Sequence, residues 1–396
     1  MKKTIEEFNL ENKKVIIRCD LNVPIKDGVI LDDNRIKMSL KTIKYAIDKN
    51  AKVILLSHLG RIKNLSDKEK NSLYPISVRL SKLLGQKVFF INETRGSVVE
   101  DAISNMKSKD VILLENTRYE DLPDKKESTC NPILSKYWAS LGDIFINDAF
   151  GVSHRCHASN VGIAKRLPSG IGFLVQSEMN ALNKILKDIK RPYTVILGGA
   201  KMNDKIKVIN SLVEKADYIL LGGGIANTFL VAKGYDLKKS VYDIDSIKVA
   251  KELLEKYKEK IILPVDGYEY TKYCDSKNKE YCNLKTVSNN NMVLDIGPET
   301  IRIFSKYIKE SNTIFFNGPV GVFEFDNFSY GTKKILEEMK YSKAKVIVGG
   351  GDSASAAIKF GYKDSFFHIS TGGGASLEYI SGNAMPGIEV IDDKSK

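Results

Sequence analysis

A chain of 396 residues, 43% hydrophobic and 28% charged, has the composition of a soluble protein and the length for two α/β domains with separate cores. No apolar stretch approaches the ~18 residues of a membrane span, and the start MKKTIEEFNLENKK lacks the apolar segment of a signal peptide, which points to the cytoplasm. The net charge of +12 leaves nucleic acid or small anions as partners, but no Lys/Arg-rich block is interleaved with aromatics, so nucleic acid is the weaker reading.

In chain order, apolar runs alternate with longer segments of helical character, the rhythm of βαβ units and parallel sheets. Val15-Ile17 leads into Arg18, Asp20 and Asn22. Residues 33–50, with Ile36, Leu40, Ile43, Ala46 and Ile47 on one face, predict an amphipathic helix. Val53-Leu56 leads into His58 and Arg61, Val111-Leu114 into Asn116 and Arg118, and Ile144-Ile146 into Asn147, Asp148 and Arg155. Residues 174–190 read as a helix ended by Arg191-Pro192, and as the connector between a first domain, 1–173, and a second, 191–380.

Beyond the connector the strand ends change character. Val195-Leu197 runs into GGAK, Tyr218-Leu221 into GGG, Ile314-Phe316 into NGPVG, Val346-Val348 into GGGD and His368-Ile369 into STGGG. Ligands of open α/β sheets bind at the carboxyl ends of the strands. Glycine turns let backbone amides approach phosphate, whereas Arg and His bind anions through charge and directed hydrogen bonds. Only ten of the 61 basic residues are Arg, and nine of them lie at or before Arg191, so the strand-end arginines are a selective use. Two different anion-binding surfaces imply two phosphorylated ligands. Residues 267–291 are polar and turn-rich, and predict a surface hairpin or loop.

Several motifs have competing readings. GGGDSA (349–354) fits the dinucleotide fingerprint, but it lies late in the chain with no ribose-binding acid ~20 residues on. A dehydrogenase is therefore an alternative, which binding of MgADP rather than NAD would exclude. No Walker A motif and no HRD or DFG pair occurs. Lys201 and Lys205 beside the GGAK turn suit a nucleotide phosphate tail, and Asp352 suits Mg²⁺. SHRCH (153–157) has no zinc spacing, and His58 and His154 read better as donors to an anion. The five cysteines are odd in number and irregular in spacing, which argues against a disulfide framework; Cys19 and Cys156 read as packing residues.

RCDLNVP (18–24), DDNRI (32–36), LLSHLGR (55–61), ENTRYE (115–120) and NDAFGVSHRCHAS (147–159) resemble the phosphoglycerate kinases. So do GGAKMNDK (198–205), DIGPET (295–300), NGPVGVFE (317–324), GGGDSA and STGGGASLE (370–378), in order and over nearly the whole chain. The resemblance implies a bilobal, hinged α/β monomer of two Rossmann-like domains with parallel sheets. It implies reversible phosphoryl transfer between 1,3-bisphosphoglycerate and ADP, giving 3-phosphoglycerate and ATP. By motif, Asp20, Leu21, Asn22, Arg35, His58, Leu59, Gly60, Arg61, Arg118 and Arg155, with His154 nearby, hold the phosphoglycerate. The nucleotide falls to Gly198, Gly199, Lys201, Lys205, Gly222, Gly223, Val293, Leu294, Asn317, Pro319, Val322, Glu324, Gly350, Gly351, Asp352 and Ser353, with Glu324 on the ribose and Asp352 on the metal. Arg35, Lys201 and the backbone of Gly372, Gly373 and Gly374 are the expected catalytic groups, and the tail 381–396 is expected to return to the first domain. Departures from the family pattern are Ile62 after LGR, Val293 before LD, and the 267–291 segment.

Overall fold

The computed structural model describes residues 1–200 and 205–394. It is an α/β protein of two compact units, one of Met1–Asn180 with Ala384–Lys396, the other of Ala181–Asn383.

The first unit is built on six parallel strands. In spatial order they are Val88–Ile91, Val111–Leu114, Lys52–Leu56, Lys14–Cys19, Ile144–Asp148 and Ser169–Ile171. Numbered along the chain the order is 3-4-2-1-5-6, so the connections change direction between Lys14–Cys19 and Ile144–Asp148. These strands read as unbroken apolar runs because helices cover both faces of a parallel sheet. Helix Asn34–Asp48 buries Ile36, Ile43, Ala46 and Ile47 against the cluster containing Val15, Ile17, Val53 and Leu55.

The second unit also has six parallel strands: Ile261–Ile262, Tyr218–Leu221, Tyr193–Leu197, Thr313–Asn317, Lys345–Gly349 and His368–Ile369. Their order is 3-2-1-4-5-6, that of dinucleotide-binding sheets, with the switch between Tyr193–Leu197 and Thr313–Asn317. The crossover joining its third and fourth strands carries a further small sheet. There the polar segment expected as a hairpin or loop pairs Asp266–Tyr270 with Glu280–Asn283 and adds Met292–Ile296, making a three-stranded antiparallel sheet. Buried Glu269 holds it closed, its carboxylate accepting from Ser288 N at 3.1 Å and Asn291 Nδ2 at 3.2 Å.

The helix expected over 174–190 runs from Phe173 to Leu186, and the division between units falls inside it. Asp148 at the end of its strand caps that helix, Oδ1 accepting from Leu174 N at 2.9 Å. The segment from Ala384 belongs to the first unit. Gly387 N donates to Ser153 O at 2.8 Å, Asn147 Nδ2 to Gly387 O at 2.7 Å, and Lys3 N to Asp392 O at 2.8 Å.

Candidate functional site

In the first unit, the ends of the parallel strands deliver a basic cluster. Arg18, the last but one residue of its strand, is fully buried. Its Nε–H donates to Ser159 Oγ at 2.8 Å, an NH1 donor reaches Cys19 O at 2.5 Å, and NH2 lies 3.2 Å from His58 Nδ1. Ser159 passes the interaction on, its Oγ–H donating to Glu127 Oε1 at 2.5 Å and its N–H to Oε2 at 2.9 Å. Burial draws the Arg18 guanidinium down and the Glu127 carboxyl up, and each is opposed by the other's charge. The pair is internal, so its role is to hold His58 in place.

More exposed groups stand around this buried layer. Asp20 accepts from Arg35 NH1 at 3.1 Å and fixes its guanidinium, while Asn22 Oδ1 accepts from Gly60 N at 2.9 Å. Arg118 NH1 donates to Gly60 O, and its N–H to Asn116 Oδ1 at 3.0 Å. Burial and the charges of Arg155 and Arg18 bring the Arg118 guanidinium down to about 10. Arg155 Nε–H donates to His154 Nε2 at 3.1 Å.

Burial, reinforced by neighbouring arginines, lowers the imidazole of His58, and holds those of His154 at about 4 and His157 at about 3. All three are therefore neutral at pH 7, and the positive charge of the cluster is carried by arginine. His154 is held by the Gly151 backbone as well as by Arg155, and His157 Nδ1 lies 3.8 Å from Glu127 Oε1, so both rings are fixed in place beside the arginines. Cys156, expected as a packing residue, is exposed beside Arg155. Arg61, Arg118 and Arg155 line one open cleft in this unit. Leu21 and Leu59 sit instead in the hydrophobic core, their backbone N–H groups engaged by Ser57 Oγ and Asn116 Oδ1.

The second unit offers a cleft of about 190 Å³, lined by Gly199, Gly223, Val293, Leu294, Pro319, Val322, Glu324 and Asp352 from the residues expected there. It also takes in Tyr273 and Leu284, which sequence reasoning missed because they lie in the polar segment with no strand-end pattern, and Met292, the first residue of the strand that follows it. Its walls are apolar and its mouth carries carboxylates, the balance of a nucleotide pocket.

At the sheet's switch point the chain passes itself too closely for side chains. A Cβ on Gly198 would lie 2.0 Å from Pro319 O, and one on Gly318 would lie 2.2 Å from Gly198 O. Lys205 Nζ donates to Gly198 O at 2.8 Å, bringing an ammonium to this crossing. Asn317 Nδ2 donates to Gly349 O at 2.9 Å, and Ser353 Oγ accepts from Gly318 N at 2.6 Å. These two side chains tie neighbouring strand ends together rather than line the cleft.

Three helices begin at glycine here: Gly223–Ala232 after Gly222, Gly351–Lys359 after Gly350, and Gly374–Ser381 after Gly373. Gly350 has φ +103°, a conformation that turns the strand directly into a helix start and that other residues adopt only with strain. Asp352 stands exposed in the first turn of that helix. Gly372 N donates to Ser370 Oγ at 3.1 Å. Lys201 lies outside the described residues.

Asp295 is a further buried acid. Burial raises it to about 7, and it accepts from Gly331 N at 2.8 Å and Ile296 N at 2.9 Å, holding the cleft floor where Gly321 passes close by.

The phosphoglycerate kinase family model matches residues 5–383. A curated phosphoglycerate kinase of Fusobacterium nucleatum subsp. nucleatum is 50% identical, with 100% of each chain covered, and one of Enterococcus faecalis is 50% identical over 99% of this chain and 100% of its own. Among solved structures, phosphoglycerate kinase from Coxiella burnetii matches with TM-score 0.80 at 37% identity, and that from Pyrococcus horikoshii OT3 with TM-score 0.86 at 33% identity. Each covers 98% of both chains.

Proposed function

Because the chain belongs to the phosphoglycerate kinase family, we propose that its two strand-end surfaces divide the two substrates of that reaction between them. The reaction is a glycolytic kinase step: reversible transfer of a phosphoryl group between 1,3-bisphosphoglycerate and ADP, giving 3-phosphoglycerate and ATP. The arginine cluster of the first unit takes the phosphoglycerate, and the glycine-walled cleft of the second takes the nucleotide. The observation that carries this division is that charged side chains cluster at the strand ends of one unit, while close-passing backbone and an apolar cleft occupy those of the other.

The acceptor in the ATP-consuming direction is a carboxylate, already ionised at neutral pH, so no general base is required. Catalysis then rests on alignment and on stabilising the equatorial oxygens of the moving phosphoryl group in an in-line transfer. Arg35 is suited to that role. Its guanidinium is oriented by Asp20 yet remains at the surface of the cluster. Lys201 and the Gly372–Gly374 amides complete the assignment made from the motifs, and each such group is worth ~3 kcal/mol or more.

Asp352 fits Mg²⁺, which takes one or two carboxylates together with phosphate oxygens. Bound there, the ion supplies charge neutralisation to the phosphate oxygens. Glu324 at the cleft mouth is placed for the ribose, and Tyr273, Val293 and Leu294 form the apolar wall for the base. The reading includes a cytoplasmic monomer acting on small molecules, without nucleic-acid or membrane partners.

Reacting atoms must come within about 3 Å in a site shielded from water, so the two units close on their ligands. Small-angle scattering with 3-phosphoglycerate, MgADP or both tests this. The radius of gyration should fall mainly in the ternary sample; an unchanged radius in all three excludes closure as the assembling step.

A further inference from the structure

The hairpin of the second unit reaches beyond its own small sheet. Its strands Asp266–Tyr270 and Glu280–Asn283 are joined by a connection whose side chains Tyr273, Asp275 and Lys279 meet a single segment, 324–328. Asp275 Oδ1 accepts from Asn327 N at 3.0 Å and from Asn327 Nδ2 at 2.9 Å, and Lys279 Nζ donates to Asn327 O at 2.5 Å. Tyr273 packs its ring on that of Phe325, with centroids 5.1 Å apart and planes at 61°. Lys279 is itself braced, its ammonium 4.1 Å from the centroid of the Tyr268 ring on the hairpin's first strand. Each hydrogen bond is modest alone. Together they engage the N–H, the carbonyl and the side chain of one residue, which restrains the peptide planes on both sides of it.

The segment so held begins with Glu324, which lines the nucleotide cleft. Before Glu324 the chain is anchored by Val322 N, which donates to Leu294 O at 2.8 Å, and by the buried Phe323. After it, Phe325 leads into the short turn Asp326–Phe328, whose last residue is fully buried. Glu324 stands exposed between these anchors, so the main chain on either side sets where its carboxylate points. Lys359, in the last turn of the helix that carries Asp352, donates to Phe323 O at 3.1 Å and to Asp326 Oδ1 at 3.0 Å. The segment is thus tied from two directions, and losing the hairpin's hold loosens it without releasing it.

We propose that Asp275 and Lys279 are positioning residues for the nucleotide: by holding Asn327 they fix Glu324 against the hydroxyls of the ribose. This rests on the reading of Glu324 as the ribose ligand. Hydrogen bonds weaken steeply away from their preferred distance and angle, so a carboxylate on a loosened loop accepts poorly from a sugar hydroxyl. Glu324 belongs to the motif NGPVGVFE, but the side chains that hold it come from the 267–291 segment, which departs from the family pattern.

Steady-state kinetics with 3-phosphoglycerate test this by comparing ATP with 2′,3′-dideoxy-ATP, which lacks both hydroxyls. In the unsubstituted enzyme the dideoxy nucleotide should have a KM about tenfold higher, the scale of a lost charge-assisted hydrogen bond. Asp275→Ala combined with Lys279→Met should raise KM for ATP about fivefold, with KM for dideoxy-ATP and for 3-phosphoglycerate unchanged, so that the two nucleotides become nearly equal. A contact made equally before and during transfer acts on KM, so kcat should change little. Asp275→Ala alone, which leaves the lysine's hold, should shift the same ratio less. Asp275→Asn keeps an acceptor oxygen for Asn327 and should keep the preference for ATP.

An equal rise in KM for both nucleotides would mean a general loosening of the cleft and overturns the proposal, as does an unchanged KM for ATP. Glu324→Ala separates the underlying assignment. If that variant still prefers ATP over the dideoxy nucleotide, Glu324 does not hold the ribose and the proposal falls with that reading. If it loses the preference while Asp275→Ala with Lys279→Met keeps it, the ribose assignment stands and the positioning role alone is overturned.

Discussion

The two units place their strand-end residues at the same point of the same kind of sheet, yet they offer an anion different kinds of surface. In the first, buried Arg18, Ser159 and Glu127 form a scaffold on which partly exposed arginines stand, and the attraction is carried by charged side chains. In the second, strand ends cross without side chains between them, helices start at glycine, and the surface presented is backbone amide and apolar wall. Charge suits a small, highly anionic ligand that must be oriented at both ends. Backbone and apolar surface suit a nucleotide, whose base offers area and whose phosphates need a close approach. The difference teaches that the switch point of an α/β sheet fixes where a ligand goes, while the residues just past the strands fix what it is.

The sharpest way to break this contrast is Arg35→Ala. Loss of a guanidinium that acts on the transferring group should lower kcat by at least ~100-fold while nucleotide affinity changes little. Steady-state kinetics with both substrates varied decides it, and a near-normal kcat removes Arg35 from the catalytic role.

Asp352→Ala tests the other half. Mg²⁺-dependent nucleotide binding should weaken ~10-fold with phosphoglycerate binding unaltered, as titration calorimetry with each ligand separately can measure. Equal losses for both ligands would mean that the assignment to one unit is wrong.

A smaller effect contrasts how the units respond to acid. The folded-state values of His154 and His157, about 4 and about 3, lie below the 6.5 of the free imidazole. Those groups favour the unfolded chain as pH falls below 6.5, and their penalty is complete only below the folded values. Asp295 has the opposite sign. Raised to about 7 from 3.8, it takes up its proton first in the folded state, so its contribution to stability grows as pH falls from above 7 towards 3.8. Nuclear magnetic resonance should find His154 and His157 neutral at pH 5. Hydrogen exchange should show that Asp295→Asn removes a gain in protection of the second unit between pH 7.5 and 5. An unchanged pH response in that variant would rule Asp295 out as the source.

Much of this was legible in the sequence, for identifiable reasons. Strands buried on both faces write themselves as apolar runs, and the abrupt change to Arg, His or Gly at their ends marks the binding edge. Helix 34–48 was visible because Ile36, Ile43 and Ile47 recur at helical spacing. Of the antiparallel sheet at 266–296 only a hairpin or loop over 267–291 was expected; the third strand, Met292–Ile296, and the packing of Cys282, Leu284 and Val293 against Leu230 and Leu237 were not, because that apolar face is assembled from distant segments. Nor was Glu127 visible as a partner of Ser159: 32 residues of chain separate them, and nothing in either motif announces the other. Strand order was equally hidden, since the 3-4-2-1-5-6 arrangement of the first unit depends on which crossovers skip a neighbour.

One feature of the chain's path bears on how the protein is made. The segment from Ala384, which joins the first unit through Asn147, Ser153, Ser169 and Lys3, is synthesised after every residue of the second unit. The first unit can gather its six strands early, but the bonds to Ser169 and Asn147 must wait until the whole of the second unit has been made. A message truncated anywhere before codon 384 therefore yields an incomplete first unit even when all six of its strands are present. For this fold, a failure of synthesis within the second unit is also a defect of the part made first.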